Sequence, residues 1–599
     1  MKKLLLETSF SKIYMIVMIL ITLLVVGGYF SYAMFTVGKE KSNAITIVTG
    51  NLTYKLEVDG EEGNSLTVGA NSSKEFIVTL SNPNNRVARF NFYYEDNIPE
   101  GVKVGYIIDC DTNNMPESKG VNLEKGGAIG SSNIYKIIVE NNSNKEITIK
   151  LGVNVGLDYN DLELPSNGHL FDEYIENEPN VPELDAGMIA VSYNGTEWVK
   201  ADTNNSNNDW YNYTEQKWAN AVTVSSGTRS TYQNASVGTV VSMDDIETMW
   251  VWIPRYSYSI GSNDGVNYYG KKGCYLESEP TIELPGEIDI RFVSEDVKDR
   301  GTAKYVVSEE INNNSWYTPD AFTFGDKELS GIWVGKFETS SSNPSSGGNG
   351  GGNTTSLDAM IKPNVISWRE ISISNAFNVS LKMNDNGNRY GLTSNIDTHV
   401  IKNSEWGVVT YLSQSKYGKL GNTSYSGSNK EIYQNKSDQY ITGCSYGTPP
   451  NNNTDYGCQY QYNVEINGTG ASTTGNIYGI YDMSGGAWEY VMASYNDVLA
   501  NSGFVSMPEA KYYDKYTTDN PLTACNGGEC LSHSLSETSG WHNDYNVMLS
   551  ETYPWFFRGD YYYNNVTVGI FAFNPGVTAF GAGAISGSFR LTAIIGVST

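Results

Sequence analysis

Six cysteines, four histidines and a tyrosine-rich segment near the C-terminus are the side chains of this 599-residue sequence whose types and spacing bear on chemistry. Cys110, Cys274, Cys444, Cys458, Cys525 and Cys530 include no CxxC, and His169, His399, His533 and His542 show no HExxH or other zinc spacing, so no structural zinc site is expected. Cys444/Cys458 and Cys525/Cys530 are close enough in sequence to staple their own loops as disulfides in an exported chain, while Cys110 and Cys274 stay unassigned. No GxSxG element or Ser/His/Asp grouping offers a nucleophile. The loop Asp202 to Asp209 has Asx spacing that a calcium ion uses, yet it lacks the Gly and distal Glu of a helix-loop-helix site. We read it as a polar turn, and structural calcium is the one cofactor left open. Gly347-Gly348-Asn349-Gly350-Gly351-Gly352 has no leading strand and no Lys, so it is not a phosphate loop.

Between Asp560 and Ser586 the chain combines Tyr, which gives rigid amphipathic area, with Asn, Ser and Gly, which give adaptable hydrogen bonds. That is the composition of an antibody-type binding surface. The expected ligand-binding residues are Asp560, Tyr562, Tyr563, Asn564, Asn565, Phe573, Asn574, Val577, Thr578 and Phe580. A plain fold-closing segment is the alternative.

These residues must be positioned by a chain too long for one core, and length alone predicts several units. Only 18% of residues are charged and 39% are hydrophobic, with 60 Gly and 43 Tyr. Recurrent Gly, Asn and β-branched residues break helical periodicity, so a mostly β, multidomain chain is expected. Lys+Arg 40 against Asp+Glu 67 leaves a net charge of −27, which repels phosphate backbones and excludes nucleic acid as a partner.

Ile13 to Phe35 is an uncharged, mostly apolar run, long enough as a helix to cross a bilayer core of about 30 Å. Lys2, Lys3 and Lys12 precede it, so the N-terminus is expected inside and the bulk of the chain outside the cell. The segment serves as a single-pass membrane anchor, or is removed near Ser31-Tyr32-Ala33 to release a secreted protein. The expected order is a membrane segment (1–36), a β-sandwich (37–170), an acidic linker (171–185), a small β module (186–245) and an α+β domain (246–599) with a flexible insertion at 340–356. Period-two runs such as Leu52, Tyr54, Leu56, Val58 and Phe76, Val78, Leu80, separated by turn clusters, carry the sandwich. In the small module Trp198, Trp210, Tyr211, Tyr213 and Trp218 read as exposed-type aromatics around the Asx loop.

Two resemblances follow from ordered motifs. The export segment ending in Ser31-Tyr32-Ala33-Met34-Phe35, followed by Ala44-Ile45-Thr46-Ile47-Val48-Thr49-Gly50-Asn51-Leu52, resembles the camelysin and biofilm-fibre surface proteins of Gram-positive bacteria. From Met249 onward, Trp250-Val251-Trp252-Ile253-Pro254, Trp333 to Thr339, Val365-Ile366-Ser367-Trp368, Leu392 to Trp406, Tyr478 to Tyr490, Phe557-Arg558-Gly559-Asp560 and Gly587-Ser588-Phe589-Arg590-Leu591 resemble the motifs of the formylglycine-generating enzyme (sulfatase-modifying factor) family. The resemblance implies a C-type-lectin-like fold with two helices, small sheets and long loops. Within it Trp488, Glu489, Arg558, Phe589 and Arg590 are expected to be structural, with Glu489 a candidate partner for a buried Arg590.

That family's oxidase activity resides in a copper-binding cysteine pair between its two closing motifs, and no Cys lies between Arg558 and Arg590. Cys525 and Cys530 share the spacing but lie upstream, where a disulfide is simpler. The expected function is therefore non-enzymatic: a cell-surface adhesin or receptor-like protein whose lectin-like head binds a glycan or a surface protein. In layout and composition the Asp560 to Ser586 segment also resembles the variable proteins of diversity-generating retroelements. The alternatives are a formylglycine-generating-type oxidase and a structural surface-fibre subunit.

Overall fold

The computed structural model describes residues 54–82, 89–95, 98–107, 132–156, 165–171, 177–260, 268–299, 316–344, 348–517, 531–576 and 580–597. The apolar run 13–35, Cys110, Cys525, Cys530, Val577 and Thr578 lie outside these residues. Among the described residues no helix is long and apolar enough to cross a membrane. The chain is mostly β and divides into two compact units between Ile175 and Glu176.

Period-two alternation builds the first unit. In Ser72–Ser81 the buried side chains are Phe76, Val78 and Leu80, every second residue, because successive side chains of a strand point to opposite faces. This strand pairs antiparallel with Ser132–Asn141 along its whole length, from Ser72 opposite Asn141 to Ser81 opposite Ser132. Lys55–Val58 and Glu61–Glu62 extend this sheet on one side and Val102–Ile107 on the other. The second sheet runs in the order Ser65–Val68, Ile147–Gly156, Arg89–Glu95, Gly168–Leu170. One core joins them, with Leu56, Phe76, Val78 and Val139 from the first sheet meeting Leu66, Phe92, Leu151 and Val153 from the second. Each such side chain contributes about 1.5–3 kcal/mol on burial. The buried amide of Asn141 is satisfied by three carbonyls, those of Val68 (3.3 Å), Gly69 (2.9 Å) and Lys145 (2.7 Å).

The second unit is organised by a seven-stranded antiparallel sheet in the order Trp198–Lys200, Met188–Tyr193, Asn220–Val224, Ile246–Pro254, Gly331–Gly335, Leu591–Ile595, Ile396–Val400. Two expectations are corrected here. The expected small β module at 186–245 is no separate body, since it supplies three strands of this sheet and shares its core. Its Trp198, Trp210, Tyr213 and Trp218 are accordingly buried at 0–3% exposure; Trp218 Nε1, for example, donates to the Tyr417 carbonyl at 2.7 Å. The isolated strands could not have covered these rings, and the neighbouring strands do.

The expected linker is also corrected. Phe171 is fully buried in the core of the first unit. Downstream, Asn180 donates to the Val293 and Ser330 carbonyls at 2.9 and 2.8 Å, Trp333 donates to the Glu183 carbonyl at 2.6 Å, and Asp185 accepts from Gly187 N at 3.0 Å and Thr393 N at 3.1 Å. An acidic stretch with two prolines is thus docked by its backbone carbonyls and short polar side chains.

The insertion at 340–356 is packed rather than flexible over its described residues. Ser340–Ser341 pairs with Ala359–Met360, Trp368 Nε1 donates to the Gly352 carbonyl at 2.8 Å, and Arg369 Nη2 donates to the Gly348 carbonyl at 2.5 Å. The glycines let the backbone lie directly against the Trp368 ring: a Cβ on Gly351 would fall 2.5 Å from its Nε1.

Two helices complete the unit. Ile373–Leu381 starts at the N-cap Ser372, whose hydroxyl accepts from Asn375 N, and it buries Ile373, Ala376, Phe377 and Ser380 at helical spacing. Asn403–Ser413 is buried on all sides. Glu405 in its first turn accepts from Lys402 N at 2.8 Å and faces His399 Nε2 at 3.0 Å, while Asp397 holds His399 Nδ1 at 2.7 Å. Burial works against charge on His399, but Glu405 and Asp397 outweigh it and raise its pKa to about 9. Glu405 is held down to about 2: burial opposes its charge, and His399 and Lys402 overcome that.

Candidate functional site

The tyrosine-rich segment leaves the strand Trp555–Arg558 at Gly559 and Asp560, both in left-handed conformation. That strand pairs with Trp488–Tyr495, Glu489 opposite Arg558 and Tyr490 opposite Phe557, and Trp488–Tyr495 pairs in turn with Gly587–Phe589. Both ends of the segment are therefore fixed to one central strand. That strand is entered through a tight turn with positive φ at Asp482, Gly485 and Gly486, a conformation that glycine adopts freely and Asp tolerates. A Cβ at Gly486 would lie 2.4 Å from Glu338 Oε1, so the turn tolerates no side chain there.

Beneath the turn lies a set of buried charges. Arg590 Nε and Nη2 donate to the two oxygens of Glu489 at 2.9 and 2.5 Å, and the guanidinium also donates to the carbonyls of Gly335 (2.7 Å) and Tyr481 (2.8 Å). Burial pushes the Glu489 carboxyl up to about 7 against the pull of Arg590. Glu338 accepts from Ala487 N at 2.8 Å and from the Ser367 hydroxyl. Burial beside Asp482 and Glu489 drives its pKa well above the usual carboxylate range. Arg558 is fully buried as well, donating to the Ser534 carbonyl at 3.0 Å with its guanidinium 5.6 Å from the Trp406 ring. Phe589 lies in the same core. All of these groups hold backbone in place.

Above them the loop Tyr561 to Asn565 is pinned by main-chain carbonyls. Gln434 Nε2 donates to those of Tyr562 (3.1 Å) and Asn564 (2.9 Å), and Tyr562 N donates to Gly486 O at 3.0 Å. With the backbone held this way, the rings are free to gather. Tyr563, 53% exposed, stacks on Tyr456 at 5.4 Å; Tyr562 meets Tyr456 edge-on at 5.5 Å and Tyr440 at 5.1 Å; Tyr561 lies 4.7 Å from Trp488. Arg369 lies over Tyr440 at 3.8 Å and Lys436 over Tyr456 at 5.4 Å. The result is an aromatic cluster that exposes Tyr563 and parts of Tyr456, Tyr561 and Tyr562, with Tyr440, Arg369 and Lys436 buried beneath it and Asn565 at its edge, whose Oδ1 is 3.4 Å from Lys436 Nζ. Flat aromatic rings with adjacent hydrogen-bonding groups suit amphipathic ligands such as sugar rings or a protein surface.

The eight expected ligand residues that are described fall into distinct places; Val577 and Thr578 lie outside the described residues. Tyr562, Tyr563, Asn564 and Asn565 belong to this surface. Asp560 is only 2% exposed: its Oδ1 accepts from Trp488 Nε1 (2.5 Å), Asn564 Nδ2 (2.8 Å) and Tyr561 N (2.9 Å), so it is the anchor beneath the loop rather than a contact. Burial raises its pKa, and those donors pull it back. Phe573 is core at 1% exposure, paired opposite Arg558, because the chain re-enters the sheet there. Asn574 is half-buried, and Phe580 stacks on Tyr553 at 5.4 Å, away from the tyrosine cluster. Trp488 is half-buried between Phe557 and Tyr561, so it both supports the strand and floors the surface.

Sequence reading missed Tyr440, Tyr456, Tyr561, Arg369 and Lys436. A signal existed: Tyr456 falls within the loop closed by Cys444 and Cys458, which are disulfide-bonded. That bond holds the Tyr456 loop beside the strand pair Cys444–Ser445 and Tyr460–Gln461. Cys274 is disulfide-bonded too.

Among the described residues, no three of His, Cys, Asp and Glu surround one point as metal ligands do. In the Asx loop, Asp202 Oδ1 accepts from Asn204 N at 3.0 Å, and Asn205 Oδ1 accepts from Trp210 N and Tyr211 N at 2.9 and 3.0 Å. Its side chains are turned to its own backbone. No protein-family model, curated protein or solved structure matches this chain.

Proposed function

We propose that the second unit is a ligand-binding head, of the C-type-lectin-like kind that the ordered motifs resemble, displayed at a cell surface by the N-terminal segment. The face formed by Tyr456, Tyr561, Tyr562, Tyr563 and Trp488, backed by the buried Tyr440, is its contact surface. The carrying observation is that Tyr563 is half exposed and stacked while the backbone beneath it is fastened by Gln434 and Gly486. Such pre-organised rings lose little conformational freedom on binding, which is what converts contact area into affinity. A glycan or a protein of another surface is the ligand class that aromatic faces edged by Asn564 and Asn565 would take. The absence of Cys between Arg558 and Arg590 sets this reading against a copper-dependent oxidase.

Screening the purified chain against a glycan array and a panel of surface proteins tests the reading. A ligand bound by the native chain should lose at least about tenfold in affinity with Tyr456→Ala/Tyr563→Ala, two ring truncations of about 1 kcal/mol or more each. A double variant that binds every ligand as well as the native chain removes this surface from consideration. Copper-dependent oxidation of a cysteine-containing peptide would favour the oxidase.

A further inference from the structure

Four large apolar side chains that the second unit leaves in water border the tyrosine loop. Ile585 is 71% exposed, Tyr563 53%, Tyr545 49% and Val566 38%. Tyr545 N donates to the Thr567 carbonyl at 2.9 Å, which sets Tyr545 beside Val566, three residues past Tyr563. The Ile585 carbonyl accepts from Arg369 Nη1 at 2.5 Å, and its neighbour Ser586 meets the Tyr440 hydroxyl at 3.1 Å. Tyr440 packs edge-on against Tyr562, so Ile585 borders the same rings.

Rings by themselves suit a sugar as well as a protein, since a sugar ring presents C–H faces to them and hydroxyls to nearby amides. Aliphatic ends do not. Ile585 and Val566 offer a polyhydroxylated ligand no hydrogen bond, and covering them with one would desolvate its hydroxyls without compensation. A protein brings apolar side chains of its own, and apolar patches rimmed by polar groups mark such contacts.

The solvent-facing charge at this edge is negative. Asp455 precedes Tyr456 and Asp438 lies two residues before Tyr440, and both are exposed. Lys436 and Arg369 are buried by contrast, and donate to the main-chain carbonyls of Asn453, Ile585 and Gly348. Asp438 is near enough to act on Tyr562, whose hydroxyl is raised by burial, by Tyr440 and by Asp438. The chain as a whole carries −27, which draws in a partner rich in Lys and Arg. We propose, resting on the reading of the tyrosine face as the contact surface, that its ligand is a protein with an apolar centre and a basic rim. Ile585, Tyr563, Val566 and Tyr545 cover the apolar centre, and Asp438 and Asp455 pair with the flanking Lys or Arg.

The test immobilises the purified full chain and offers it a phage-displayed library of random cyclic peptides, with Ile585→Ser/Val566→Ser as a parallel target. Both positions face solvent, so this variant should melt as the native chain does. If it melts earlier, Ile585→Ser alone carries the comparison. We expect the native chain to enrich peptides that place an apolar side chain between Lys or Arg residues. Their Kd should rise at least about tenfold with Ile585→Ser/Val566→Ser, and by a smaller factor with Asp438→Asn/Asp455→Asn. Raising salt from about 0.05 M to about 0.5 M should weaken binding to the native chain more than to the Asp438→Asn/Asp455→Asn variant. No enrichment, or equal enrichment on both targets, overturns the proposal, as do selected peptides without basic residues. A glycan that requires Tyr456 and Tyr563 yet binds Ile585→Ser/Val566→Ser unchanged also overturns it, and leaves the tyrosine face standing as a binding surface. Selected peptides indifferent to Tyr456→Ala/Tyr563→Ala remove that surface, and the proposal with it.

Discussion

Tyr456 and Tyr563 stack with ring centroids 5.4 Å apart and planes inclined by 18°, one ring from the disulfide-closed loop and the other from the segment after Arg558. Because the loop backbone is held by Gln434 and Gly486 rather than by these rings, Tyr456→Ala/Tyr563→Ala should cost no more than about 1–2 kcal/mol of stability while binding is lost. Chemical denaturation of the two chains checks this. A loss comparable to truncation of a core ring would make the pair part of the fold.

Asp560→Ala should behave in the opposite way to Tyr563→Ala. It strands the Trp488 indole N–H, the Asn564 amide and the Tyr561 N–H, so we expect a loss on the order of 2–3 kcal/mol. Equal melting temperatures for the Asp560 and Tyr563 variants would contradict the anchoring role.

Breaking the buried Glu489–Arg590 pair from one side leaves an uncompensated charge, and about 3–5 kcal/mol should be lost in Glu489→Gln or Arg590→Met. The combined variant should recover part of that loss. A double-mutant cycle measures the recovery, and strict additivity would show that the two groups do not act as a pair.

His399 is raised from an ordinary value of 6.5 to about 9, so its stabilisation is complete below pH 6.5 and disappears as pH rises through about 9. Glu405, lowered to about 2, contributes above its ordinary value of 4.5 and loses that contribution as pH falls toward 2. On the alkaline side the native chain should lose on the order of 3 kcal/mol, and His399→Gln should flatten the profile between pH 6.5 and 9. Melting curves across that range decide it; parallel profiles would count against charge on His399.

The Cys444–Cys458 bond joins cysteines 14 apart in sequence, and closing such a loop is worth about 3 kcal/mol in restricted unfolded chain. Reduction should lower the melting temperature and weaken ligand binding together, since the loop carries Tyr456. Peptide mapping without reductant should recover this pair intact and would also establish the state of Cys525 and Cys530. Alkylatable thiols at Cys444 and Cys458 in the native protein would sink the prediction.

Much of the architecture was local and could be read from the chain. Alternation over Phe76, Val78 and Leu80 gave strands, Asp482 and Gly485-Gly486 gave a turn, Arg590 after Phe589 asked for a carboxylate that Glu489 supplies, and the short spacing of Cys444 and Cys458 gave a disulfide. Each rests on a conformational or pairing demand carried by a few adjacent residue types.

What tertiary structure decided was exposure and company. Asp560 and Phe573 read as surface residues because their neighbours are Tyr, Asn and Gly, yet one is roofed by Trp488 and the other re-enters the sheet beside Arg558. Trp210 and Trp218 looked exposed until strands from elsewhere in the chain covered them. The tyrosine surface joins rings from residues 440, 456 and 561–563. Such meetings depend on which distant segments the sheet order brings together, and period and composition carry no record of that.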